Sequence, residues 1–192
     1  MSEPEIRAAW EAQRFAEGVE AAFRAYSVEL AGYLQVVARD DALADDLLAE
    51  VWAAIFEGFS RFSWRSSFRT WAYAIAHRTW ARALRSPERR KSAGWPTDEM
   101  RRLAGAARTA TQSYLRTESK EAVRRLRARL DPAEQALLTL RIDRGLAWNE
   151  VAEILADGED VDLVKESAAL RKKFERLVGK LRGWARADGL LE

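Results

Sequence analysis

The chain has 192 residues with 48% apolar types, enough for one large domain or two small ones with a sizeable core. Ala, Leu, Arg and Glu dominate while Pro (4) and Gly (10) are few, a mix that favours helices. With no Cys and a single His, a disulfide framework, a thiolate nucleophile and a Cys/His metal centre are excluded. The expectation is a non-enzymatic protein without cofactor or metal. The first residues lack a basic head and apolar run, and no stretch approaches transmembrane length, so a soluble, cytoplasmic protein without membrane contact is expected.

The net charge of +2 conceals strong segregation. Residues 40–60 hold six acids and no Lys or Arg, a net −6. Residues 61–91 hold eight Arg and Lys91 against Glu88, a net +8. Residues 165–186 hold eight bases against Glu166 and Glu175, a net +6.

Residues 1–14 read as an N-terminal arm. Phe15, Val19, Ala22, Phe23, Tyr26, Leu30, Tyr33 and Val37 recur at helical spacing and predict a helix over 15–38. Asp41 can cap a second helix over about 42–57, ended by Gly58. Its Leu43, Leu47, Val51, Ala54 and Ile55 share one side, and Asp46, Glu50 and Glu57 the other, with Ala49 and Ala53 between and Phe56 at the rim. This acidic strip carries no basic residue of its own. Residues 60–67 read as a loop. Ser66 or Ser67 then caps a helix from Phe68 to about Arg85, with Phe68, Ala72, Ile75 and Thr79 on one face and Tyr73, Trp80 and Leu84 on a second.

Residues 87–115 show no sustained periodicity and read as a linker. Helical order returns near 118–129. Asp131-Pro132-Ala133-Glu134 is a strong helix start, with an N-cap, a Pro at the first position and a Glu at the third. That helix runs to about Arg141, and Gly145 breaks the chain. A short helix over 148–156 places Val151, Ile154 and Leu155 inward. The last long helix gathers Leu170, Phe174, Leu177, Leu181 and Trp184 on one face, flanked by Arg171, Lys172, Lys173, Arg176 and Lys180. No strand pattern or repeat is visible. The predicted class is all-α: two small helical domains joined by a linker.

What remains is recognition chemistry. Residues 145–182 follow the logic of a helix-turn-helix, in which a bracing helix precedes a basic one that enters the major groove. Residues 60–85 interleave Arg with aromatics, which suits opened or single-stranded DNA, where Arg holds phosphates and rings stack on bases. Phe68 and Trp71 read as core, whereas Trp64, in the loop, is the stacking candidate. His77 reads as a surface or DNA-facing residue. A stand-alone helix-turn-helix regulator and a helical adaptor remain alternatives on these features.

The order of elements is more specific. The run "ADDLLAEVWAAIFEGFSRFSWRSSFRTWAYAIAHRTWARALR", over 44–85, resembles region 2 of bacterial sigma factors of the extracytoplasmic-function kind. "RLRARLDPAEQALLTLRIDRGLAWNEVAEIL" and "ALRKKFERLVGKLR" resemble region 4. The resemblance implies a sigma-70-family protein divided into an arm (1–14), region 2 (15–86), a linker (87–120) and region 4 (121–192). It implies core RNA polymerase and promoter DNA as partners, with an anti-sigma factor as a further candidate. Asp46, Glu50, Ala53, Phe56 and Glu57 would dock on the polymerase clamp helices. Trp64, Arg65, Ser66, Ser67, Arg69, His77, Arg78, Arg82 and Arg85 would recognise and open the −10 element. Arg171, Lys172, Lys173, Arg176 and Lys180 would meet the −35 element, with region 4 touching the polymerase flap.

The chain departs from the family pattern at several positions. Ala49 stands for a usual Gln, Trp64-Arg65 for a common Gly-Glu pair, Arg78 for Asn, and Ala147 for a capping Ser or Thr. Residues 158–167 insert about ten residues at the usual tight turn, so a late start of the recognition helix is expected.

Overall fold

A computed structural model describes residues 3–85, 97, 100, 118–156 and 161–191. Among these no strand occurs, and the helices fall into two units. The predicted linker lies almost wholly outside the described residues.

The first unit holds α1 (Glu3–Glu11), α2 (Phe15–Ala38), α3 (Asp41–Gly58) and α4 (Phe68–Arg85), with a 3-10 turn at Phe59–Arg61. The predicted arm is therefore a helix. Ile6 and Ala9, three residues apart, are buried and give it an inward stripe. α2 ends where Arg39 turns left-handed at φ 56° and its amide bonds the Gln35 carbonyl. Asp40, rather than Asp41, caps α3, its carboxylate accepting from the Leu43 amide at 2.7 Å. Ser67 caps α4, its Oγ accepting from the Thr70 amide at 3.0 Å.

The core of this unit is aromatic. Phe23 packs on Trp52 at 4.7 Å, Phe59 meets Phe68 edge-on at 5.9 Å, and Phe62 stacks on Trp71 at 4.6 Å. α3 buries Leu47, Leu48, Val51, Trp52 and Ile55, a wider face than predicted. α4 buries Phe68, Ala72, Tyr73, Thr79 and Trp80 but leaves Leu84 half exposed, against expectation.

The second unit holds α5 (Glu118–Ala128), α6 (Pro132–Leu138), a π turn at Thr139–Asp143, α7 (Trp148–Leu155) and α8 (Leu163–Ala187). α6 starts with a full capping box: Asp131 accepts from the Glu134 amide at 2.8 Å and Glu134 from the Asp131 amide at 3.1 Å. The break after the π turn is made by Gly145 at φ 65°, a conformation glycine adopts without steric cost. Ala147 offers α7 no side-chain acceptor, but the Glu150 carboxylate accepts from its amide at 2.7 Å, which keeps half of the capping arrangement. Leu130, Leu138 and Leu177 form the core, with Phe174, Leu181 and Trp184 packed around it.

α8 begins earlier than expected. Asp162 caps it, accepting from the Val164 and Lys165 amides, both at 3.1 Å. Residues 163–167 of the insertion are thus the first turn of the helix itself. Ser167 is buried there, its Oγ 3.1 Å from Asn149 Oδ1 and 3.3 Å from the Trp148 carbonyl.

Candidate functional site

Three surfaces bear on the predicted chemistry. The first is the outer edge of α3. Asp46, Phe56 and Glu57 are exposed and Ala53 is half-buried beside them. Phe56 keeps 44% of its surface open and adds an apolar side chain to the acidic edge. Ala49 is buried, so the position of the family's Gln offers no outward contact here. The expectation of an acidic strip without a basic neighbour needs correction, because Glu50 forms an ion pair with Arg82 of α4. Charge sums along the sequence hide such a pair, whose members lie 32 residues apart.

The second surface is the connection from α3 to α4 and the helix that follows. Arg65, Arg78, Arg82 and Arg85 are exposed, and Ser66 and Ser67 half-buried. Three predicted DNA-facing residues sit differently. Trp64 is not a free ring in the loop. It meets Trp10 edge-on at 6.3 Å, tilts on Phe62 at 4.8 Å, and lies under the Arg7 guanidinium at 5.5 Å. Its Nε1 is covered and has no hydrogen-bond partner. Arg69 turns to α2, where its guanidinium bonds Glu29 at 2.9 Å and 3.0 Å, and the Tyr73 hydroxyl donates to the same carboxylate oxygen at 3.3 Å. Burial works against the Arg69 charge, but the Glu29 carboxylate outweighs it and leaves the pKa raised. His77 is half-buried, with Nδ1 2.8 Å from the Tyr33 hydroxyl. Burial holds that phenol far above its ordinary range, so it remains a neutral hydroxyl beside the imidazole.

The third surface is α8. Arg171, Lys172, Lys173, Arg176 and Lys180 are all exposed. Lys180 is nevertheless engaged, with Nζ donating to both Glu134 oxygens at 2.8 Å and 2.9 Å and lying 4.9 Å over Trp184. Arg141 and Arg171 flank the Trp148 ring at 5.0 Å and 6.0 Å, bordering a cleft at the start of α7. Sequence reasoning passed over Arg141, although its place just before the turn was a usable signal.

No group of acids and histidines suited to a metal ion exists among the described residues. None of the described helices is long and apolar enough to cross a membrane.

In the first unit an acidic, partly apolar helix edge is followed at once by a basic loop and helix, and in the other unit a long helix carries a second set of exposed cations. Residues 22–90 match sigma-70 region 2. Over 143 residues, 72% of this chain and 80% of the relative, it is 29% identical to the RNA polymerase sigma factor YlaC of Bacillus subtilis (strain 168). Both likenesses point to the sigma-70 family and support a sigma factor of the extracytoplasmic-function kind.

Proposed function

We propose that the chain is a sigma factor that binds core RNA polymerase and directs promoter-specific initiation of DNA-templated transcription. The observation that carries this reading is the pairing, within the segment matching region 2, of the exposed α3 edge with the basic loop and helix that follow. Residues 15–86 would act as region 2 and 121–192 as region 4, with 87–120 as the tether. Asp46, Ala53, Phe56 and Glu57 supply the docking edge for the polymerase clamp helices. Exposed acids there steer association with a basic partner, and Phe56 offers the apolar contact. Arg65, Arg78 and Arg85 hold phosphates of the −10 region, with Arg82 held back by Glu50, while the loop meets opened bases. α8 presents Arg171, Lys172, Lys173 and Arg176 to the −35 element. A stand-alone regulator working from α7 and α8 would have no use for the α3 edge and is not favoured.

The test is co-purification with core polymerase, followed by transcription from a promoter template. Asp46→Arg with Phe56→Ala should abolish co-purification while circular dichroism is unchanged, since both side chains are exposed. Glu50 is left intact because it holds Arg82. Undiminished capture of polymerase by the double variant would remove the docking assignment.

A further inference from the structure

α1 lies outside the segment that matches region 2, yet it grips the connection from α3 to α4 along its whole length. At the near end Trp10 Nε1 donates to the Phe59 carbonyl at 2.8 Å. At the far end Glu3 Oε1 accepts the Arg69 amide at 2.9 Å, satisfying a free N–H in the first turn of α4. Between them, Trp10 and Arg7 hold the Trp64 ring. Glu3, Arg7 and Trp10 stand at i, i+4 and i+7, one stripe of the helix. Ile6 and Ala9 form the other stripe and are buried.

Trp64 itself is in the left-handed region at φ 55°, where a Cβ is disfavoured and the family's common Gly would sit freely. Such a conformation persists only when its surroundings over-determine it. Here they do so through the ring: Phe62 beneath, Trp10 at the edge, Arg7 above. Ser63 and Arg65, on either side of the anchored Trp64, are exposed.

We propose that α1 is a clasp that sets the shape of the promoter-opening loop, and that Trp64 is a positioning residue gripped by it, not a surface on which an unpaired base stacks. The part it plays in promoter opening rests on the reading of this loop as the segment that meets the −10 element. The contacts of the ring offset the cost of the left-handed backbone at Trp64, and that backbone sets the path of Ser63 and Arg65.

Glycine and alanine at position 64 separate the two roles. Both remove the ring, but only Gly relieves the backbone. In full-length protein with core polymerase, Trp64→Gly should keep open-complex formation within about threefold of the unaltered chain, while Trp64→Ala falls about tenfold. Equal losses for the two would mean that the ring stacks on a base and would overturn the proposal. A second measurement needs no promoter. Glu3→Ala with Trp10→Phe should speed hydrogen exchange of amides 62–69 in the free protein about tenfold, with the amides of α3 unchanged. Unchanged exchange at 62–69 also overturns the clasp. Failure of the unaltered chain to open any promoter would instead overturn the functional reading and leave the clasp standing on the exchange data.

Discussion

At the scale of single residues, a basic side chain that already has a carboxylate partner is a poor donor of charge to DNA. Arg78 and Lys180 make the contrast. Arg78 is exposed, whereas Lys180 is tied to Glu134. A free cation that meets a phosphate releases about one counterion, so Arg78→Ala should lower the salt slope of promoter binding by about 1, and Lys180→Ala by much less. A salt series of binding constants checks both, and equal slopes for the two variants would refute the distinction. Arg69 belongs with Lys180. About a third of the Glu29 side chain is open to solvent, so Glu29→Gln should cost only about 1 kcal/mol in a denaturant melt. The same reasoning separates the bases of α8. Arg171→Ala should cost about 1–3 kcal/mol on cognate upstream DNA alone, and Arg176→Ala should weaken cognate and scrambled duplex alike. Equal losses on both duplexes for Arg171→Ala would remove its base-reading role.

At the scale of elements, α2 carries a close approach that its composition does not announce. A Cβ on Gly18 would come within 2.6 Å of the Phe59 ring, which is itself fully buried. Gly18→Ala gains about 1 kcal/mol of helix propensity but overpacks a rigid aromatic core at about 1–3 kcal/mol. A lower melting temperature is the expected balance; a higher one would show that Phe59 can retreat. The spans of α2, α3 and α4 were legible because apolar residues recur over four or more turns. α1 was not read, although Ile6, Ala9 and Trp10 mark a face, because three positions in nine residues make a weak period. The width of the α3 core was underestimated through Leu48 and Trp52. The ties of Glu3 to Arg69 and Trp10 to Phe59 span 66 and 49 residues, and no local pattern encodes them. The site followed the same division. The exposed cations of α8 were readable from its wheel, whereas Trp64, Arg69 and His77 were misplaced because their partners come from α1 and α2.

At the scale of the whole molecule, opposite charges are assigned to opposite tasks, so the near-zero net charge of +2 is no guide to partners. The α3 edge and α8 belong to different units. Free-energy losses from Asp46→Arg and Arg176→Ala in promoter-complex formation should therefore add, within about 0.3–0.5 kcal/mol. A larger interaction term in the double-mutant cycle would show that docking and upstream binding are energetically coupled. The early start of α8 has a consequence in the ruler of the DNA itself. Eight residues of rise separate Leu163 from Arg171, and at about 1.5 Å each they put about 12 Å of rod ahead of Arg171. Val164, 79% open to solvent, rides on that rod. The surface that α8 presents ahead of Arg171 is longer by about two turns. Nuclease protection of the upstream element should shorten when the rod is cut back to a tight turn, and unchanged protection would show that the rod makes no contact with the duplex.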